Sequence, residues 1–508
     1  MTLGELLAGI AGVPDADTAG EAAAQVEIRS LAYDSRRVRP GTLFCCVPGF
    51  EVDGHDFAAR AVAGGAAALL VERPLDLGVP EAVVPSVRAA MGPVAARFYG
   101  DPTSELRVVG VTGTNGKTTS AYMVQGLLEA AGMQAGLLGT VKSVIGGAER
   151  SLQRTTPEAI DLQADFKAML DAGDRACAIE VSSHALALGR TRGIRFAAAI
   201  FTNLTQDHLD FHPRMEDYFL AKRSLFVPED GERPGVSVVN VGDPYGRRLA
   251  GEVEGAVTFA VEGGAADYGA RDLSCDASGC GFRLCTPIGE REVELPMPGA
   301  FNVENALGAL AAVHRLGHDL DTLVAALERG VRVPGRFEPV DAGQDFGVLV
   351  DYAHTPDSLA NVLRSARELT DGRVICVFGA GGDRDRGKRP LMGAIVAGLA
   401  DVAVVTSDNP RSEPPERIVG EIVAGMGDGA DGAGRDGRAV RVEIDRRAAI
   451  ELAVGLAGRG DMVVIAGKGH ERGQELAGGV KVPFDDVAVA RGALAARSAK
   501  IAALGERG

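Results

Sequence analysis

Apolar residues gather along this chain in short, often β-branched runs, and most runs end in glycine or in charged residues. Such runs read as strands buried on both faces of a sheet. Between them lie longer stretches with helical spacing, alanine-rich over 300–316. Strand and helix alternate over nearly the whole length. That predicts an α/β fold with mostly parallel sheets and ligands at the carboxyl ends of the strands. A chain of 508 residues is long enough for three domains of ordinary size, and the pattern divides at two places.

Residues 1–104 form the first unit. It has a short amphipathic helix over 3–10, strands over 26–32, 42–47 and 67–71, a helix over 57–64, and a polar loop over 49–56. Asp34-Ser35-Arg36 follows the first strand and reads, on its residues alone, as a simple turn. Asp101-Pro102-Thr103-Ser104 reads as a linker. Residues 105–335 form the second unit, with strands over 107–111, 176–181, 197–201 and 236–240 and an antiparallel patch over 267–296. Residues 336–508 form the third. Its strands over 348–350, 374–378, 402–406 and 462–466 run into Asp351-Tyr352-Ala353-His354, Gly379-Ala380-Gly381-Gly382-Asp383-Arg384, Asp408-Asn409-Pro410-Arg411 and Gly467-Lys468-Gly469-His470-Glu471. Tips of parallel strands share one sheet edge, where functional loops collect. Residues 425–437, rich in Gly, Asp and Ala, read as a mobile surface loop, and the last dozen residues as a helix.

One stretch organises the rest. Residues 107–111 form a strand, Gly113 and Gly116 break regular structure, and Lys117-Thr118-Thr119 opens a helix that runs on over 120–131. Strand, glycine loop and helix start make a phosphate cradle. Lys117 reaches the outer phosphates, and the Thr118 hydroxyl can ligate Mg²⁺. The strict pattern wants glycine five residues before Gly116, where this chain has Val111.

Charge narrows the partners. Against 53 Lys and Arg stand 69 Asp and Glu, a net charge of −16. That excludes a general nucleic-acid partner, which needs a basic footprint, and leaves small anionic ligands held by a local cradle. The seven cysteines, Cys45, Cys46, Cys177, Cys275, Cys280, Cys285 and Cys376, contain no CxxC pair. All seven read as reduced thiols in a reducing, cytoplasmic setting. No signal peptide or membrane span is expected.

Strand tips in the second unit add candidate Mg²⁺ ligands: Glu180, His208 and the pair Asp207 and Asp210. A His208/His212 zinc site is the alternative, but no cysteine lies nearby and a phosphate loop favours Mg²⁺. Lys222 sits in an apolar helical run, and its residues alone predict a buried stem with a solvated head. A phosphate loop alone does not name a reaction.

Thr112-Gly113-Thr114-Asn115-Gly116-Lys117-Thr118-Thr119 resembles the ATP loop of the Mur ligases, the ATP-dependent amino-acid-adding enzymes of peptidoglycan synthesis. So do Glu180-Val181-Ser182-Ser183-His184, Thr202-Asn203-Leu204, Asp207-His208-Leu209-Asp210, Asn302 with Asn305, Pro334-Gly335-Arg336 and Asp351-Tyr352-Ala353-His354. The resemblance runs in order from about Tyr33 to Glu471. Asp34-Ser35-Arg36, Thr155-Thr156-Pro157 and the Gly379, Asp408 and Gly467 tips point to the branch that adds a diamino acid to UDP-N-acetylmuramoyl-L-alanyl-D-glutamate.

That resemblance implies a small UDP-substrate domain over 1–104, a central parallel-sheet P-loop ATPase domain over 105–335, and a Rossmann-like amino-acid domain over 336–508. It implies that Gly113, Thr114, Asn115, Gly116, Lys117, Thr118 and Thr119 bind ATP, with Asn305, Arg336 and Asp351 completing the site. Tyr33 and Ser35 would hold the uridine end of the substrate, and Thr155, Thr156, Ser182 and Arg190 its sugar and peptide. Leu188 stands where some relatives carry Gln. Lys222 matches a lysine that carries a CO₂-derived carbamate, an anion that ligates a second Mg²⁺ beside Glu180 and His208. Lys117, Lys222, His208 and Glu180 would be the catalytic set. Arg384, Asp408, Asn409, Pro410, Arg411, Gly467 and Glu471 would hold meso-diaminopimelate. The expected protein is a cytoplasmic monomer. The rivals are a folylpolyglutamate-type ligase, an L-lysine-adding enzyme, and a phosphate-loop switch or transport ATPase.

Overall fold

The computed structural model describes residues 1–10, 21–49, 52–150, 154–261, 266–276, 278–427 and 439–505. Most of the expected loop at 425–437 therefore lies outside the described residues. Among those described, three large sheets carry the fold. In the first, Ser30–Ala32, Thr42–Cys45, Ala66–Val71 and Glu81–Val83 lie side by side in chain order, all parallel. The expected strand over 26–32 is regular only in its last part. Upstream, Val26 accepts a backbone hydrogen bond from Leu3, and Ile28 donates one to Met1. The helix Val87–Phe98 has no counterpart in the sequence reading, because Gly92-Pro93 interrupts its pattern. The Asp101–Ser104 stretch is a 3-10 turn over Pro102–Ser104, entered through a left-handed Asp101 at φ 51°.

The second sheet has eleven strands among the described residues. Its middle runs, in space, Val236–Asn240, Phe196–Phe201, Arg107–Thr112, Ala176–Glu180 and Ala135–Leu138, all parallel. Their residues are buried on both faces, as their unbroken apolar runs require. On one face the helices Lys117–Ala130 and Ala300–Arg315 pack together over Val109, Val111, Ala178 and Ile200. On the other face Ala159–Asp171 and Met215–Arg223 bring Phe166, Tyr218 and Phe219 against Val108, Ile179 and Phe201. The antiparallel patch expected over 267–296 forms Tyr268–Asp276, Gly279–Thr286 and Gly289–Leu295, and it extends this same sheet.

Here the expectation of seven thiols is corrected: Cys275 and Cys280 are joined by a disulfide. They stand directly opposite across the hairpin, with Cα atoms 4.1 Å apart, so both side chains leave the same face within bonding reach. The remaining five are thiols, buried except for the half-buried Cys285.

In the third sheet the order is Glu338–Pro339, Gly347–Asp351, Met462–Ala466, Val374–Phe378, Val402–Val405 and Ala439–Val442, parallel after the first pair. The strands that carry the four charged tips are neighbours, so all four tips leave one edge. No helix of the described residues is long and apolar enough to cross a membrane.

Helix Arg446–Leu456 is tied to the terminal helix Asp486–Gly505 by a fully buried two-point pair, Arg446 Nε to Asp486 Oδ1 at 2.9 Å and Nη2 to Oδ2 at 2.6 Å. Removing one partner leaves a buried charge unmet. Asp486→Asn is therefore expected to cost about 3–5 kcal/mol, read as a lower urea midpoint by circular dichroism. Replacing both with Met and Leu is expected to be close to neutral.

Candidate functional site

The cradle is built by strand register. Val111 stands opposite Glu180 and Thr112 opposite Phe201, so the loop, Glu180 and Thr202-Asn203 leave the sheet at one level. Two glycines are fixed by close contacts. A Cβ on Gly113 would stand 1.8 Å from Thr202 Oγ1. A Cβ on Gly116 (φ +84°) would stand 2.2 Å from Asn305 Oδ1. Gly116 caps the helix Lys117–Ala130, whose free N–H groups and dipole favour an anion. Lys117 Nζ lies over the loop, donating to the Gly113 and Thr114 carbonyls at 2.9 and 2.8 Å. Burial pulls its ammonium pKa down, with Glu180 and Asp207 opposing that shift.

Behind the loop, Glu180 is 1 % exposed. It accepts from Thr118 Oγ1 at 2.9 Å, from the Thr140 N–H at 2.7 Å and from Thr140 Oγ1 at 3.0 Å. Thr140 Oγ1 in turn accepts from the Thr155 hydroxyl at 3.0 Å. Thr156 Oγ1 donates to the Glu180 carbonyl at 2.8 Å and receives the Ser182 N–H at 3.1 Å. Arg190 leans on the buried Glu158 at 2.9 Å, and Arg154 reaches the same carboxylate at 2.7 Å.

Lys222 departs from the residue-based reading. Its head is not solvated: the residue is 1 % exposed, donates to the Gly113 carbonyl at 2.8 Å and lies 4.7 Å from the Tyr218 ring centroid. Burial first, then the Lys117 cation, drives its pKa well below the ordinary lysine value. His208 adopts a left-handed φ of 56° and packs edge-on against His184 at 4.9 Å between ring centroids. Burial and neighbouring cations hold its imidazole neutral.

The third sheet closes the other side. Arg336 Nη2 donates to Thr118 Oγ1 at 3.1 Å, and the guanidinium Cζ lies 4.4 Å from the Tyr352 ring centroid. Asp351 accepts the Phe337 and Ala353 N–H groups, both at 2.7 Å. Asp357 receives Asn115 Nδ2 at 2.8 Å. Between the two sides opens a cavity of about 680 Å³, lined by the loop residues Thr114 to Thr119, by Glu180, His208, Lys222, Asn305, Arg336 and Asp351, and by Thr155, Thr156, Ser182, Leu188, Arg190 and Arg384.

Other expected residues lie outside that lining. Tyr33 donates to Asp161 Oδ2 at 2.5 Å, and Ser35 opens a 3-10 turn capped by Asp34. Asp210 is exposed and His212 packs against Tyr218. Asp408, Asn409, Pro410, Arg411, Gly467 and Glu471 form a second cluster behind Arg384. A Cβ on Gly381 would be 3.0 Å from Arg411 Nη1 and 3.7 Å from Arg384 Cγ. Arg411 pairs with Glu475 at 3.0 Å, and Glu413 is taken by Arg389. The sequence reading missed Thr140, Arg154, Glu158 and Asp357. Thr140 alone had a signal, Gly-Thr at the end of an apolar run.

Among the described residues no group of three His, Cys, Asp or Glu could hold a metal. Mg²⁺ asks for less: hard oxygen donors, one or two from protein and the rest from phosphate and water. The Thr118 hydroxyl and the Glu180 carboxylate, 2.9 Å apart beside the cradle, fit that demand.

A parallel-sheet nucleotide cradle closed by a second α/β sheet, with a small third unit at the N-terminus, defines an ATP-site architecture shared across several domains. The chain belongs to the Mur ligase family: residues 27–99 match its catalytic domain, 111–313 its middle domain and 335–469 its glutamate ligase domain. It is 47% identical over 479 residues to the UDP-N-acetylmuramoyl-L-alanyl-D-glutamate–2,6-diaminopimelate ligase of Geobacillus thermodenitrificans, covering 93% of this chain and 96% of the relative. It is 46% identical over 489 residues to that of Streptomyces coelicolor, covering 94% and 95%. A solved structure of a ligase of that name superposes with a TM-score of 0.66 at 34% identity, covering 93% and 95%. A folylpolyglutamate synthase from Mycobacterium tuberculosis shares the fold, with a TM-score of 0.60 at 19% identity and coverage of 78% and 92%.

Gly116→Ala would force alanine into a left-handed conformation and displace Asn305. The expected outcome is a folded protein whose ATP affinity falls about tenfold or more, measured by isothermal titration beside a melting curve.

Proposed function

We propose that this chain is an ATP-dependent amide ligase that adds meso-2,6-diaminopimelate to UDP-N-acetylmuramoyl-L-alanyl-D-glutamate, a cytoplasmic step of peptidoglycan precursor synthesis that serves cell shape and division. The observation that carries the reading is one cavity walled by a phosphate cradle on one side and by Arg336, Asp351 and Arg384 on the other. The names of relatives at 43–47% identity over most of the chain support the substrates. ATP and a nucleotide-linked sugar are small soluble substrates, in keeping with a cytoplasmic monomer that needs no nucleic acid.

The chemistry follows from the electrophile. A carboxylate resists attack by an amine. Transfer of the ATP γ-phosphoryl group to the D-glutamate side-chain carboxylate gives an acyl phosphate and ADP. The amine nitrogen then attacks the carbonyl carbon, the C–O bond to phosphate breaks, an amide forms, and the amine proton passes to solvent. Lys117 and the helix start meet charge on the moving phosphoryl group. Thr114, Asn115, Thr118 and Thr119 seat the phosphates, and Asn305 and Asp351 bracket the nucleoside. Thr118 and Glu180 would hold one Mg²⁺, and His208, Glu180 and a carbamate on Lys222 a second. Bound there, these ions would neutralise phosphate charge. Burial lowers the pKa of this lysine and so favours the neutral amine, the form that adds CO₂. Thr155, Thr156, Ser182 and Arg190 orient the sugar and peptide, and Tyr33 and Ser35 hold the uridine end. Closure of the third unit over the cradle excludes water from the acyl phosphate.

A carbamate on Lys222 has a sharp consequence. Lys222→Ala should lose activity, and a small carboxylic acid at high concentration should restore part of it by entering the vacated space. Lys222→Arg should stay inactive, because guanidinium cannot become an anionic ligand. An active Arg variant makes this lysine a plain cation.

The choice of amino acid rests on Arg411, with Arg384 assisting and Asp408, Asn409, Pro410, Gly467 and Glu471 around them. meso-Diaminopimelate differs from L-lysine by one carboxylate, which a guanidinium fork holds through two charge-assisted hydrogen bonds. ADP formation with wild type should require both the UDP-dipeptide and diaminopimelate, with lysine used roughly 10⁴-fold less well. In Arg411→Ala, kcat/KM for diaminopimelate should fall by about a hundredfold while lysine barely changes. Preference for lysine, or equal loss of both, overturns the substrate assignment.

A further inference from the structure

Lys468 lies in the strand-tip turn after Met462–Ala466, and its side chain is fully buried. A buried ammonium needs an acceptor for each of its three protons. It has three: Asn409 Oδ1 at 2.8 Å, Glu471 Oε2 at 2.9 Å and Asp408 Oδ1 at 3.4 Å. Two of these belong to the tip after Val402–Val405, and the third to the tip of Lys468 itself. One cation thus ties together two tips whose strands are separated in the sheet by Val374–Phe378.

The contact fixes more than position. Asn409 Oδ1 takes both the Lys468 ammonium and the Glu475 N–H at 2.9 Å. Its amide nitrogen must therefore face the other way, and it donates to Glu471 Oε2 at 2.8 Å. A flipped amide would set its NH₂ group against an ammonium. Glu471 Oε2 is then occupied twice, by Lys468 and Asn409, so recognition by this carboxylate falls to Oε1. Glu475 extends the frame to Arg411 through a 3.0 Å pair.

We propose that Lys468 is a positioning residue for amino-acid selection: its three-point contact, directly and through Asn409, orients Glu471 so that Oε1 meets the far ammonium group of the incoming diamino acid. The proposal rests on the ligase reading above. Lysine suits the task because three donors leave one point. Arginine's planar fork cannot meet the same three acceptors.

The experiment compares wild type, Lys468→Met and Lys468→Arg by ADP release, with separate KM values for ATP, the UDP-dipeptide and meso-diaminopimelate. The expected result is a KM for diaminopimelate raised about tenfold to a hundredfold in both variants. The other two KM values should stay within about threefold, and kcat should fall less than the diaminopimelate KM rises. Combining Lys468→Met with Glu471→Gln should cost less than the two separate losses together, because both act through one carboxylate. Should Lys468→Met lose its fold, Lys468→Gln, with a shorter two-donor head, carries the same comparison. An unchanged diaminopimelate KM, a parallel rise of all three KM values, or full additivity with Glu471→Gln overturns the proposal. Failure of wild type to use diaminopimelate would instead overturn the ligase reading.

Discussion

A carboxylate buried at a strand end must be met by donors on every open side, and Glu180 sets what can surround it. Its three hydrogen bonds come from Thr118 on the cradle and twice from Thr140 on the neighbouring strand end. A Cβ on Gly139 would stand 2.5 Å from Glu180 Oε1, so the chain beside it stays bare. Through its own carbonyl, Glu180 anchors Thr156, and through Thr156 it anchors Ser182. The phosphate loop, the threonine pair and the helix that starts at Ser183 are thus placed from one side chain. Arg336 reaches the same Thr118 hydroxyl from the third sheet, so the inter-sheet contact depends on this carboxylate as well.

The third sheet solves a different problem. Its tips crowd charged residues into a small volume and pair them tightly: Lys468 with Asp408 and Glu471, Arg411 with Glu475, Arg389 with Glu413. Positive φ at two non-glycine positions there, Asp383 at 53° and Arg411 at 50°, adds strain that the surrounding bonds must hold. Asp383 does so by accepting the Ser412 N–H and hydroxyl at 3.1 and 2.7 Å. A preformed arrangement of this kind leaves little freedom to be lost when a ligand arrives.

Much of this was legible in the residues. The strands were readable because parallel strands covered on both faces are unbroken apolar runs, as in Val374–Phe378 and Met462–Ala466. The cradle was readable because glycine, lysine and threonine at a strand-to-helix junction have few other uses. Lys222 was not readable from its neighbours: its burial comes from Met215–Arg223 packing beneath the Gly113 carbonyl, a contact across more than a hundred positions. Arg411 has Glu413 two residues away, yet it pairs with Glu475, because the hairpin of Gly473–Glu475 and Lys481–Pro483 brings that carboxylate back. The Cys275–Cys280 bond was missed because its spacing matches no motif. Only the hairpin register puts the two side by side.

Arg336 and Asp351 beside the cradle, and Arg384, Arg411 and Glu471 on the charged tips, hang from the edge of one sheet. Strands hydrogen-bonded over their whole length move as a plate. This plate already rests on the cradle, through Arg336 on Thr118 and Asp357 on Asn115. The charged tips and the contacts to the cradle therefore form a single lever rather than two independent hinges: a displacement at the Arg411 turn is carried through the sheet to the Thr118 hydroxyl.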